Sequence, residues 1–160
     1  MPNTELDREL ERAETGWEPA FPFSKRPPTY VTGEPNGTRI RSRYYKRLSD
    51  NALVGRVWFG PGAMGPPGHA HGGSMAALLD DAMGSCCWMN NHPVLAARLT
   101  TIFRNPLPLE KVLLLETQVL RVEGRKVYAS GKVFAEDGKI YCEGECLFVT
   151  IDISKFDGTK

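Results

Sequence analysis

Gly73-Ser74-Met75-Ala76-Ala77-Leu78-Leu79-Asp80-Asp81-Ala82-Met83-Gly84-Ser85-Cys86-Cys87-Trp88-Met89 spells one long helix. Its apolar residues Met75, Leu78, Leu79, Ala82, Met83 and Cys86 recur at i, i+3, i+4, i+7, i+8 and i+11, a continuous stripe that must face a core. Pro61, Gly62, Gly65, Pro66, Pro67 and Gly68 make the preceding stretch a breaker-rich loop. Upstream, Arg39, Arg41 and Arg43 alternate with Ile40 and Ser42, and Leu53, Val54, Val57, Trp58 and Phe59 follow, which predicts two strands joined near Ser49-Asp50-Asn51. Beyond Pro93, Val94–Phe103, Val112–Val122, Lys126–Ala135 and Lys139–Ile151 read as four strands in hairpin succession, with turns at Glu123-Gly124 and Asp137-Gly138. Two strands, a helix and four strands predict an α+β fold, an antiparallel β-sheet wrapped around one long central α-helix. Such a sheet leaves edges that invite a partner.

The chain has 160 residues, 41% hydrophobic and 24% charged, the composition of one soluble domain with a buried core. Residues 1–37 are expected to form a short solvated helix, with Leu6 and Leu10 at helical spacing, followed by a Pro- and Gly-rich arm; 38–152 form the domain and 153–160 a tail. Twenty Lys and Arg against nineteen Asp and Glu leave a charge of +1, too little for a surface built to neutralise nucleic-acid phosphates. No apolar run reaches the roughly 20 residues needed to span a bilayer, and Met1 to Leu10 is acidic where a signal peptide is basic. A soluble, cytoplasmic protein with no nucleic-acid partner and no membrane span is expected. Cys142 and Cys146, about 13 Å apart on a strand, lie beyond disulfide reach, and reduced thiols are the expectation for all four cysteines.

On the helical wheel Asp80 stands about 140° from Met75, among Ala76, Ala77, Gly73, Gly84 and Cys87. Small neighbours admit another backbone or a ligand, and partial desolvation there makes a carboxylate a better base; a structural acid is an equal reading. Ahead of it, His69-Ala70-His71-Gly72-Gly73 enters the helix, whose unpaired N–H groups suit an anion or a developing oxyanion. Asp80 is seven residues beyond Gly73, roughly 10 Å along the axis. One helix therefore cannot offer both to one carbonyl. Two antiparallel helices can, which predicts a two-fold dimer with each site shared across the interface.

Gly65-Pro66-Pro67-Gly68-His69-Ala70-His71-Gly72-Gly73, then Leu79-Asp80, then Phe103-Arg104-Asn105-Pro106-Leu107-Pro108, resembles the hotdog-fold acyl-CoA thioesterases of the PaaI-like and THEM-like group over residues 38–151. The resemblance implies hydrolysis of the thioester of an acyl-coenzyme A. It assigns the catalytic parts to Asp80 as base or nucleophile and to Gly72 and Gly73 as amide donors, with His71 fixing the loop or the substrate. Coenzyme A, part of the substrate rather than a cofactor, would lie along the seam of a homodimer or dimer of dimers, met by Arg104, Asn105, Pro106, Arg125 and Lys126. Met75 and Met83 are expected to line an apolar acyl tunnel, with Trp88 and Met89. A departure stands at Ala96, where many relatives carry a water-orienting Ser or Thr; Thr100, Thr101 or direct attack by Asp80 are the substitutes. Gly65 likewise lacks the polar side chain that some relatives use there.

Other chemistries fit less well. His69 and His71 with Asp80 or Asp81 have a metal-like spacing but no evident remaining ligands, so no metal is expected. Cys86 or Cys87 as nucleophile lacks a visible base. Asp81 reads as a structural or interface acid. A hotdog hydratase ranks last, and a non-catalytic acyl-CoA or acyl-ligand binding module is the alternative that Ala96 keeps open.

Overall fold

The helical stripe governs the packing. In the computed structural model, which describes residues 4–20, 29–31 and 36–156, α2 runs Gly72–Met89 and buries Met75, Leu78, Leu79, Ala82, Met83 and Cys86. Around it curve β2 (Ile40–Arg47), β3 (Leu53–Phe59), β4 (Val94–Phe103), β5 (Val112–Glu123), β6 (Lys126–Phe134) and β7 (Ile140–Thr150), with the short β1 (Trp17–Pro19) at one edge. Alternation sends Leu53, Val57 and Phe59 of β3, Val127, Ala129 and Val133 of β6, and Cys142, Cys146 and Phe148 of β7 into one core with the helix. Gly131 and Gly144 let α2 settle close to the sheet, since a Cβ on Gly131 would stand 3.2 Å from Met83 Cγ and one on Gly144 3.3 Å from Leu79 Cδ1.

The expected strands are present, but their neighbours differ. The antiparallel sheet has the order β1-β2-β3-β5-β6-β7-β4. β4 does not form a hairpin with β5; β5 pairs with β3, and β4 crosses to the far edge beside β7. Hydrophobic pattern marks a strand without saying which strand it joins. The breaker-rich segment between β4 and β5 instead backs the entry to α2, through Ala70 N–H to Leu107 O and a bridge between His69 and Pro108.

The solvated N-terminal helix is corrected. α1 (Glu5–Leu10) is capped by Thr4 and lies on the outer face of the sheet with Leu10 fully buried. Asp7 pairs there with Arg41 of β2, their side chains 3% and 5% exposed. Arg56 of β3 is buried beside them, donating to the Arg12 carbonyl at 2.8 Å and reaching Glu14 and Glu136. The N-terminal segment covers this outer face, and Asp7 and Glu14 from it, with Glu136, supply counter-charges to Arg41 and Arg56. Residues 21–28 and 32–35 of the arm and 157–160 of the tail lie outside the described residues.

Asp7→Asn keeps the shape and leaves Arg41 buried without its counter-charge, which costs about 3 kcal/mol of unfolding free energy, read by urea denaturation at pH 7. The Thr4 hydroxyl, first, and Arg41 hold the Asp7 carboxyl below its ordinary range. Its stabilisation is therefore full above that range and fades as pH falls through it, so the gap between wild type and variant must close in acid. An equal stability at pH 7 would contradict a structural role for the arm.

Candidate functional site

The loop entering α2 is fixed from several sides. His71 N–H donates to Ala63 O at 2.7 Å, and Gly65 N–H to His69 O at 3.0 Å. A Cβ on Gly65 would stand 2.8 Å from the His71 Cα, so this packing excludes the polar side chain that position lacks. His71 is the N-cap of α2, in an extended conformation at φ −64° and ψ 138°, and its Nδ1 accepts from Gly73 N–H at 2.9 Å. That Nδ1 is therefore unprotonated in the capped state. Of the two amides expected to hold an oxyanion, Gly73's is already engaged, while Gly72's has no partner among the described residues. The Phe103 ring lies over Gly72, 3.3 Å from where a Cβ would be.

Asp80 and Asp81 have different surroundings. Asp81 accepts a 2.6 Å hydrogen bond from the Tyr44 hydroxyl of β2. Asp80 has neither hydrogen bond nor ion pair among the described residues, and burial pushes its carboxyl above the ordinary value. Its charge is felt by Cys146 on β7 and by Tyr44. The sequence left open which acid is chemical; the structure ties one into the fold and leaves the other unpartnered. Gly72 and Asp80 are eight residues apart on the same helix, about 12 Å along its axis.

β4 is the free edge beside this helix, and it exposes Leu95, Leu99, Ile102 and Phe103. Exposed apolar residues on an unpaired strand are a ready surface for another strand. Thr101 lies opposite Gly144 on the face turned to α2, whereas Thr100 lies opposite Glu145 and turns to the outer face. Thr100 is thereby removed as a substitute for the hydroxyl missing at Ala96. A groove of about 450 Å³ on that outer face is lined by Thr100, Glu116, Lys132 and Glu143 and contains none of the expected catalytic residues.

The expected binding residues are divided. Arg104 pairs with Glu143 at 2.8 Å at the end of β4, and the Asn105 amide donates to Ile140 O, while Pro106 is exposed. Arg125 and Lys126 lie in the β5–β6 turn at the opposite end of the sheet, where Arg125 donates to Thr150 O. A single chain does not bring these two basic groups together. Met75 and Met83 are corrected: at 5% and 0% exposure they fill the core under the helix, because the stripe that makes the helix amphipathic is the stripe pressed on the sheet. Among the described residues no group of three or more His, Cys, Asp and Glu is gathered as for a metal ion.

All four cysteines are unpaired and buried, and burial pushes Cys87, Cys142 and Cys146 up to about 12. The folded protein at pH 7.5 should therefore leave a disulfide reagent such as DTNB essentially unreacted over minutes, and release four thiols in denaturant. Fast labelling of one thiol in the folded state would revive a cysteine nucleophile.

Residues 67–142 match the family described as Thioesterase superfamily. The chain is 39% identical over 127 residues to the acyl-coenzyme A thioesterase THEM4 of Bos taurus, covering 79% of this chain and 52% of that one. To the Xenopus laevis THEM4 it is 34% identical, over 58% of this chain and 42% of the relative. It thus spans about half the length of the curated relatives it matches. A crystal structure of a thioesterase superfamily protein superposes with a TM-score of 0.65 at 31% identity, over 68% of this chain and 53% of that one. No helix among the described residues is long and apolar enough to cross a membrane.

Proposed function

We propose that the chain, which has the hotdog fold and matches the thioesterase superfamily over residues 67–142, hydrolyses the thioester of an acyl-coenzyme A to the free acid and coenzyme A. The observation that carries this reading is Asp80: a half-buried carboxylate without a partner, beside an apolar free edge, on a helix whose first amide is unpaired. The names of the THEM4 relatives supply the substrate class.

The site is complete only in a two-fold dimer. Pairing of two β4 edges in antiparallel sense sets the N-terminus of one α2 against the middle of the other, which brings the 12 Å separation within one chain down to contact between chains. The Gly72 N–H then holds the thioester oxygen, His71 keeps the helix start in place, and the partner subunit's Asp80 draws a proton from water as the water attacks the carbonyl. The tetrahedral oxyanion collapses and expels the coenzyme A thiolate, a good leaving group that needs little acid assistance. The same two-fold sets the Arg104 end of one β4 beside the Arg125 and Lys126 turn of the partner, joining two cationic patches for the phosphates of coenzyme A. Pairs of such dimers are compatible with this arrangement. The reading calls for no cofactor and no metal, and four unpaired buried thiols accord with a reducing, cytoplasmic setting.

Ala96 favours one other reading, a module that binds acyl-coenzyme A without cleaving it. Thiol release from acyl-coenzyme A esters of graded length separates the two. Wild type should turn over at least one of them, with an acid limb of kcat/KM above the ordinary carboxylate value of about 4, because activity is lost as Asp80 protonates. Asp80→Ala should lower kcat by about 100-fold or more at unchanged fold and oligomeric state. Binding of every ester with cleavage of none would establish the binding module.

A further inference from the structure

Two consecutive carboxylates on one helix point about 100° apart, and here they meet different surfaces. Asp80 acts on Cys146 of β7, the strand that pairs with β4, and Asp81 bonds Tyr44 of β2. The Tyr44 phenol that bonds Asp81 is buried at 9% exposure within the core cluster. Two residues earlier on the same strand face, Ser42 is 2% exposed, and its hydroxyl is buried with no hydrogen-bond partner among the described residues, although it bears on the Tyr44 phenol. No Lys, Arg or His among the described residues pairs with either aspartate. Arg98 of β4, Glu116 of β5 and Lys132 of β6 line grooves on the opposite face of the sheet. The titratable groups facing the pair are therefore Tyr44 from β2, Cys146 from β7 and each other.

A half-buried carboxylate with no cation beside it is costly, and an asparagine would accept the same phenol hydrogen bond at less cost. What the asparagine would not supply is a negative charge beside Asp80. We propose that Tyr44 and Asp81 are positioning residues for Asp80: the phenol fixes the second carboxylate in its ionised form, and that fixed charge makes the first a stronger base. Repulsion between adjacent carboxylates is mutual; Asp80 adds to the rise that burial causes at Asp81, whereas at Asp80 itself burial is the resolved cause. The inference rests on the reading of Asp80 as the base and names what tunes it.

The test combines the pH profile of kcat/KM on an acyl-coenzyme A with ¹³C-carboxyl titration of Asp80, in wild type, Asp81→Asn, Tyr44→Phe and the double variant. Asp81→Asn should move both the acid limb and the Asp80 titration down by about half to one pH unit. Tyr44→Phe should move them the same way by less. Because the phenol acts through Asp81, the double variant should shift no further than Asp81→Asn alone. An Asp80 titration that stays in place, or moves up, in Asp81→Asn overturns the proposal, and so does a Tyr44→Phe shift that persists undiminished on the Asp81→Asn background. A wild type that cleaves no thioester sinks the enzymatic reading instead, while the ¹³C titration still decides the coupling.

Discussion

A helix offers unpaired amides only at its first turn, and its side chains project along its length. That constraint sets Gly72 and Asp80 about 12 Å apart on one rigid rod, so neither can assist the other at a single carbon. The rest of the architecture answers to it. The sheet curves round α2 to hold it as a straight core element, and the glycines at 131 and 144 let the helix sit close. β4 is carried past three strands to a free edge, where its exposed apolar residues can take a second copy. An element that looked like the first arm of a hairpin is instead an edge strand beside β7, and on the proposed reading two half-sites would meet there.

Much of the fold was legible because periodicity is a local property. The boundaries of α2 and of the six long strands follow from period 3.6 and period 2 with Gly and Pro between them. Strand neighbours were not legible, because β4 joins β7 through pairs such as Val94 with Thr150 and Phe103 with Cys142, far apart in sequence. The burial of Arg41 and Arg56 was hidden for a related reason: an arginine on a strand reads as solvated unless a distant carboxylate is known to cover it, and Asp7 and Glu14 lie far upstream. At the site, the helical wheel alone placed Asp80 on a half-open face. Gly73 was misread as a donor because the capping role of His71 depends on the side-chain rotamer.

The two aspartates show how one helix can divide its work. Asp81 is bound to the sheet through Tyr44, while Asp80 has no hydrogen bond or ion pair among the described residues and is raised by burial. The loop before them is closely packed: a Cβ on Gly65 would stand 2.8 Å from the His71 Cα, so the glycine permits a tight entry to the helix.

The shared site is tested most directly by complementation. Gly72 is the first helical residue after an extended His71, a position where proline is tolerated, so Gly72→Pro deletes the amide donor at the cost of a small shift of the exposed Phe103 ring. Gly72→Pro and Asp80→Ala homodimers should each be nearly inactive. Unfolded together and refolded as an equal mixture, they should regain about a quarter of wild-type thiol release, since half the dimers are mixed and each mixed dimer has one intact site. A mixture no more active than its components would contradict a site built from the Gly72 of one subunit and the Asp80 of the other.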